Sequence, residues 1–450
     1  MKVTFIHPDS GLGGAERLVL DAALGSQDLG HEVSVYTSHC DRNHAFMEIK
    51  KGLIDYHVYG DFFPRSIAGK FHIIGAIVRQ LYSSCFVPTD SDVYIVDQLS
   101  ASSPSLRSRS DSKIVFYCHF PDQLLAQRSS TIRSIYRSPW DWSEQVTTAV
   151  ADEILVNSKF TRSVFAKTFT FIKRTPDVIY PCVPIAPSVT SSHMATLIAP
   201  YTTVLSINRF ERKKNVELAI KAYAKLIHNP SVGAEDKLAL KLVIAGGYDP
   251  RVSENIEYLS ELCTLAKDLR SSYCLRHPGE SLDTIDPQIN VLFLPSITDS
   301  EKTVSSENSR VSLYTPAFEH FGIVPLEAMY AGTPVLAVNS GGPTETVKED
   351  VTGWLRDADD TEAWAKVSYK VCFDDEFINS SYSKMVDNGI NHIHNNFSRE
   401  AMADAFEKII EKVIKQKHRP PVFLADLTLF TSLFSALAIP IIAFLLYSFL

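Results

Sequence analysis

The chain has 450 residues, of which 45% are apolar and 21% charged, with a net charge of −8. That length implies two or three domains with cores of ordinary size, and the acidic balance excludes a duplex nucleic-acid binder. Seven cysteines, an odd number with no paired metal-ligand spacing, read as reduced thiols in a cytosolic compartment.

The opening residues KVTFIHP (2–8) are rich in β-branched and aromatic side chains and predict a buried first strand. Their apolar run is too short for a secretory leader. A turn at 9–15 carries Gly11, Gly13 and Gly14. A helix from near Ala15 then places Leu18, Val19, Ala22 and Leu24 on or near one face, and HEVSVYT predicts a second strand. Strand, glycine turn, helix, strand is a Rossmann-like opening. The turn is not a full G-x-G-x-x-G, so by itself it fits a tight turn as well as a ligand-facing loop.

FHIIGAIVRQLYSSCFV (71–87) is strongly apolar yet too interrupted for a membrane span, and reads as a core helix or as a helix lying in a membrane interface. DVYIVDQLSA (92–101) predicts a strand ending at Asp97 and Gln98. KIVFYCHFPDQLL (113–125) predicts the next, ending in Cys118, His119, Phe120, Pro121 and Asp122. In an open α/β sheet, residues just past the carboxyl end of a strand line the ligand crevice, which places His119 well. Arg128, Arg133 and Arg137 follow on a predicted helix with Trp140 and Trp142. They suit phosphate or lipid headgroups, and equally a solvated helix face. Strands at 151–161 and 177–184 precede a Ser, Thr, Ala and Pro-rich stretch at 185–200, which reads as the linker and domain boundary.

The α/β rhythm restarts at 203–207 with a strand, a basic loop and a helix that turns Val216, Ala219, Ile220 and Tyr223 inward, with Asn215 as its N-cap. The loop carries Arg209, Arg212, Lys213 and Lys214. Strands follow at 240–250, ending in a Gly-Gly turn, at 291–301 and at 311–316. The last feeds a loop ending in His320, Phe321 and Gly322, then a helix over 324–331 with Pro325 in its first turn and Gly332 and Pro334 at its end. Glu319 and Glu327 bracket that loop and helix start. The amides at a helix N-terminus hold anions, and carboxylates beside an anion site suit hydroxyls. A sugar nucleotide supplies both a diphosphate and hydroxyls; two solvated glutamates on an ordinary βαβ turn are the simpler alternative. Two Asp-x-Asp strings, at Asp90–Asp92 and Asp357–Asp359, read as solvated turns.

Helices fill 361–417, and the last of them, 398–417, is expected to cross back onto the first domain. From Leu427 to Leu450 there are 24 residues without a charged side chain. At about 1.5 Å per residue that is ~36 Å of helix, enough for a hydrocarbon core of about 30 Å. Lys412, Lys415, Lys417 and Arg419 precede it and orient the body of the chain to the cytosol. The expected organisation is therefore 1–195, 196–400, a crossing and basic juxtamembrane segment at 401–421, and a transmembrane anchor at 422–450.

EHFGIVPLEAMYAGTPV resembles the E-x7-E signature of retaining glycosyltransferases with the GT-B fold. With YCHFPD and SINRFERKKN it resembles, more narrowly, the eukaryotic mannosyltransferases of asparagine-linked glycosylation that add the second and third mannoses to the dolichol-linked precursor. The resemblance implies an α/β GT-B fold: two Rossmann-like domains facing a cleft, here with a C-terminal transmembrane helix. It implies GDP-mannose as donor and mannosylated chitobiosyl-diphosphodolichol as acceptor, with an α-1,3 and then an α-1,6 transfer. Arg209 and Lys214 would clamp the donor diphosphate together with the amides of Phe321, Gly322 and Ile323. Glu327 would take the ribose hydroxyls, Glu319 the transferred sugar, and His119 the same sugar from the first domain. The Gly13–Gly14 backbone would approach donor phosphates or acceptor, and Asp122, Arg128 and Arg133 would meet acceptor or lipid. A lipid substrate favours the interfacial reading of 71–87. No metal or other cofactor is expected, and membrane lipid and other early mannosyltransferases of the pathway are expected partners at the endoplasmic reticulum. A GT-B transferase using another nucleotide sugar and lipid, or an inactive membrane scaffold, are the alternatives.

Overall fold

A computed structural model of the chain describes residues 1–41, 45–66, 72–125, 131–184, 193–277, 279–280 and 282–417, without the side chains of 131–136. Two compact units emerge. The first comprises 1–157, 161–180 and the described chain from Met402; the second comprises 158–160 and 181–401. The chain therefore changes unit at 181, ahead of the expected 195. Arg128, residues 185–192 of the linker and the whole 422–450 anchor lie outside the described residues. Among those described, no helix is long and apolar enough to cross a membrane.

Each unit is built on a seven-stranded, all-parallel sheet. In the first, β1 (Lys2–His7), β2 (Glu32–Thr37), β3 (Asp55–Val58), β4 (Val93–Asp97), β5 (Lys113–Cys118), β6 (Glu153–Val156) and β7 (Asp177–Val178) stand in the order β3-β2-β1-β4-β5-β6-β7. In the second, β8 (Thr202–Ile207), β9 (Leu240–Gly246), β10 (Tyr273–Leu275), β11 (Val291–Pro295), β12 (Val311–Tyr314), β13 (Val335–Val338) and β14 (Gly353–Arg356) stand in the order β10-β11-β9-β8-β12-β13-β14. Strands covered by helices on both faces read as continuous apolar runs, and β4, β5, β9 and β11 are buried from end to end. The order reverses between β1 and β4 in one sheet and between β8 and β12 in the other. Ligands of open α/β sheets bind at the carboxyl ends of the strands flanking such a reversal.

Several elements differ from the sequence reading. Asn215 does not cap the helix Glu217–Ile227; it takes a left-handed conformation (φ 48°) that ends the short turn Arg212–Lys214. Asparagine tolerates that region better than most residues. The inward positions Val216, Ala219, Ile220 and Tyr223 are all buried as expected. Strand β7 is only two residues long. Within the predicted linker, His193–Ile198 is a helix whose Met194, Leu197 and Ile198 join a core of the second unit. Short helices escape a composition argument when their flanks are rich in Ser and Pro.

The segment 71–87 forms the helix His72–Ser84, and its packing is polar. Arg79 pairs with Asp9 at 2.7 Å, Gln80 donates to the Leu99 carbonyl at 2.6 Å, and Ser83 donates to that of Thr37 at 3.3 Å. Ile77 is buried, whereas Val78 is 36% exposed. The terminal helix Arg399–Lys415 passes, from Met402 on, into the first unit. There Phe406 lies 6.4 Å from the Phe5 ring and 6.1 Å from that of Tyr117, and Lys412 pairs with Glu153 and Asp177.

Candidate active site

In the second unit the sequence places basic residues after β8 and the two glutamates after β12, and the reversal of strand order brings both sets to one edge of the sheet. Lys214 forms an ion pair with Glu319, its side chain 12% and that of Glu319 25% exposed. Thr315 fixes the base of this pair by donating to the Lys214 carbonyl at 2.7 Å. Arg209 turns instead to Glu211 at 2.9 Å and is 60% exposed. Its backbone is set by the end of β9. Gly246 has φ 139°, and a Cβ there would lie 2.1 Å from the Asn208 carbonyl oxygen. Only glycine lets the two strand ends approach this closely.

The loop before the helix Ile323–Tyr330 rests on the turn after β13. The Gly342 amide donates to the Glu319 carbonyl at 2.8 Å, and the Phe318 amide donates to Ser340 Oγ at 3.2 Å. A Cβ on Gly342 would sit 2.0 Å from the Phe321 carbonyl oxygen. Gly322, with φ 80°, precedes the first helical residue and lies against the Tyr314 ring. The amides at this end of the helix have no intrahelical acceptor and point along the positive end of its dipole. One turn in, Glu327 divides its carboxylate. Oε1 accepts from Lys302 at 2.8 Å, while Oε2 is buried with no hydrogen-bond partner among the described residues. A buried acceptor left without a donor is costly, and a ligand hydroxyl relieves it. Burial, with Glu319 and Glu327 adding to it, pushes the Tyr314 hydroxyl well above its ordinary range, so it stays neutral between them.

In the first unit, β1, β4 and β5 deliver His7, Asp97 and His119 to one point. Asp97 Oδ2 accepts from His7 Nδ1 at 2.7 Å, and Oδ1 meets His119 Nε2 at 2.8 Å. The Asp97 side chain is 1% exposed, and that of His119 is 21% exposed. Burial works against the Asp97 charge, but His119 and His7 outweigh it and hold the carboxyl below its ordinary value. His7 is likewise opposed by burial and raised by its bond to Asp97. Gly13 caps, and Gly14 begins, the helix Gly14–Asp28. The Glu16 carboxylate folds back over this turn, its Oε2 2.3 Å from where a Cβ on Gly13 would be. Asp122 is paired with Arg137 at 2.9 Å, and Arg137 also reaches Asp141 at 3.3 Å. Arg137 is therefore committed to carboxylates within its own unit. The side chain of Arg133 lies outside the described residues.

Lys214, Glu319, Glu327 and the Phe321–Ile323 amides are thus assembled in one unit, and His119 and the Gly13–Gly14 turn in the other. The carboxylates of Asp90 and Asp92 have structural partners, and the second Asp-x-Asp string meets the Trp364 indole through its backbone. Lys2 pairs with Asp90 at 2.8 Å and its amide reaches Asp92 at 2.7 Å, and the Asp357 carbonyl accepts from the Trp364 indole at 3.0 Å. Sequence reasoning missed Lys302, Tyr314, Ser340 and His7. Lys302, Ser340 and His7 are distant in the chain from the residues they serve, and Tyr314, though close to Glu319, carries only the signal of a strand-end position.

The description "Glycosyl transferases group 1" matches residues 195–392, and "Glycosyltransferase Family 4" matches 12–186. The chain is 45% identical to the alpha-1,3/1,6-mannosyltransferase ALG2 of Candida glabrata, over 92% of this chain and 93% of that one. It is 44% identical to the Saccharomyces cerevisiae protein of the same name, over 93% and 86% of the two chains. With the Schizosaccharomyces pombe protein the identity is 43%, over 92% and 81%. Among solved structures, sucrose-phosphate synthase from Thermosynechococcus elongatus superposes with a TM-score of 0.65 at 19% identity, over 91% of this chain and 98% of that one. HepE from Anabaena in complex with UDP-glucose superposes with a TM-score of 0.61 at 16% identity, over 92% and 100%. At these identities the two structures speak for the fold alone, two parallel-sheet units of the GT-B kind.

Proposed function

The chain belongs to the alpha-1,3/1,6-mannosyltransferase family of glycosyltransferases, and we propose that it takes mannose from GDP-mannose and adds it to mannosylated chitobiosyl-diphosphodolichol. An α-1,3 transfer comes first and an α-1,6 transfer second, in the assembly of the N-glycan precursor. The observation that carries the donor assignment is the divided carboxylate of Glu327. Lys302 holds one oxygen and the other is buried without a partner, one turn behind a helix N-terminus. A ribose hydroxyl supplies the missing donor, and the attached diphosphate reaches the amides of Phe321, Gly322 and Ile323.

When the bond from the mannose anomeric carbon to the diphosphate breaks, negative charge grows on the departing GDP. Lys214 and Arg209, with the helix amides, offset that charge without requiring a metal ion. Lys214 exchanges Glu319 for the diphosphate as the donor enters, and Glu319 is freed for the sugar hydroxyls. With Glu319 committed to the sugar hydroxyls and Glu327 to the ribose, the acceptor hydroxyl rather than a protein carboxylate attacks, from the face that the diphosphate leaves. Its proton passes to a departing phosphate oxygen, and the anomeric configuration is retained. His119, oriented by Asp97, is assigned to the reacting sugar. The body works at the cytosolic face of the endoplasmic reticulum membrane beside other early mannosyltransferases, anchored through 427–450, where a charge-free stretch follows Lys412, Lys415 and Lys417.

The test is transfer from radiolabelled GDP-mannose, in EDTA, to dolichyl- or phytanyl-diphosphate chitobiose bearing one mannose, with linkage-specific mannosidase digestion of the product. A gain of two mannoses, abolished by Glu319→Ala, is expected. Consumption of a different nucleotide sugar, with no transfer from GDP-mannose, would overturn the substrate assignment.

A further inference from the structure

His119 is held through its ring by Asp97, but the backbone that carries it is held from elsewhere. The helix Thr131–Ala149 presents Glu144 to the turn just after Pro121. Glu144 Oε1 accepts from the Asp122 amide at 2.7 Å, and Oε2 accepts from the Gln123 amide at 3.1 Å. These two N–H groups begin a short helical turn, Asp122–Leu125, and have no acceptor within it. Proline fixes φ at position 121, so clamping the next two amides determines how residues 119–121 leave β5. Glu144 is itself tied down, since Ser100 Oγ donates to its backbone carbonyl at 3.4 Å.

We propose that Glu144 is a positioning residue for the transfer reaction, a bidentate carboxylate latch on the turn that sets His119. This role goes beyond donor recognition and rests on the transferase reading above.

The surroundings of the latch make it sensitive to pH. Beside it lies a cavity walled by Ile73 and Ile77 of the helix His72–Ser84, by Leu99, and by Trp140. Among the described residues, the charged or titratable groups facing Glu144 are Asp122 from the turn, Asp141 and Arg137 from its own helix, and Cys118 from β5. The cavity-lining residues of His72–Ser84 and of the segment 98–101 carry no charge. Arg137 is already engaged by Asp122 and Asp141. Burial, with Asp122 and Asp141 adding repulsion against the two amide bonds, pushes the Glu144 carboxyl up to about 7. Once protonated, a carboxyl keeps one good acceptor oxygen, so one of the two amide bonds is lost. The latch is tight above neutrality and loosens as the pH falls through it.

The experiment uses the full chain and the Glu144→Gln variant, in which an amide NH₂ replaces one acceptor oxygen. Backbone hydrogen exchange at Asp122 and Gln123, at fixed pH, is expected to accelerate in the variant while exchange elsewhere in the first unit holds. Transfer is expected to fall roughly 10- to 100-fold in kcat, the scale of a small misplacement of a catalytic group. The KM for GDP-mannose is expected to stay near its wild-type value, and the fall in wild-type rate on acidification through neutrality should flatten. Unchanged exchange at the two amides, or a wild-type kcat and pH profile, would overturn the proposal. If the variant does not fold, the wild-type chain decides alone. Protection of the two amides, corrected for intrinsic rate, must step up as the pH rises through neutrality, and a flat profile refutes the latch. The exchange arm needs no substrate, so an error in the donor or acceptor leaves it standing.

Discussion

Lys214 and Glu319 lie more than a hundred positions apart in the chain and neutralise each other in the folded unit. Because their ion pair is partly exposed, it contributes at most about 1 kcal/mol to stability. Replacing Lys214 by Ala is therefore expected to leave the melting temperature nearly unchanged while lowering kcat/KM about 100- to 1,000-fold, the cost of removing a charge aimed at a departing group. Steady-state kinetics beside calorimetry checks both halves, and a large melting shift with modest kinetic loss would contradict the role. The His7–Asp97–His119 cluster carries the opposite signature, in stability. Asp97 is held below its ordinary 3.8, so its contribution is present above that value and is lost as the pH falls through the lowered one. His7 is raised above 6.5, so its contribution is present below that value and is lost as the pH rises through the raised one. The urea midpoint of the first unit should decline on both sides of this window, and Asp97→Asn should flatten both limbs.

The loop from Phe318 to Gly322 takes its shape from a neighbouring turn rather than from its own sequence. Gly342 touches its backbone so closely that one methyl group displaces it. Gly342→Ala is expected to cost about 1–3 kcal/mol, as overpacking does. It should also weaken GDP binding by misplacing the Phe321–Ile323 amides, which denaturant titration and isothermal calorimetry would register. Full-strength GDP binding in that variant would mean the turn does not support the site. The helix His72–Ser84 teaches a related lesson. Its apolar composition pointed to a core or a membrane interface, yet beside Ile77 it buries Arg79, Gln80 and Ser83, which make hydrogen bonds to Asp9, Leu99 and Thr37. Hydropathy alone does not say which face of a helix turns inward when polar partners wait at the strand ends.

In each unit the core is completed by helices that follow its sheet, and in the first unit the completing helix comes from the far end of the chain. Phe406 is 1% exposed and its ring lies near those of Phe5 and Tyr117, the latter two residues before His119. Phe406→Ala is expected to cost about 3–5 kcal/mol, the usual price of emptying a buried aromatic position. A thermal melt of the full chain should show that loss, and an unaltered melt would mean the helix is not integral to the unit. The strand series, the restart of the α/β rhythm near 203 and the Glu319–Glu327 spacing were all legible in the sequence. Hydrophobic periodicity, turn residues and motif spacing are local, and each is written in a few adjacent positions. The order of strands in each sheet, the meeting of His7 with His119 through Asp97, the hold of Lys302 on Glu327 and the support of Gly342 beneath Phe321 were not. Those arrangements join residues distant in the chain, and only close packing of whole elements brings such side chains within the few ångströms over which hydrogen bonds and ion pairs act.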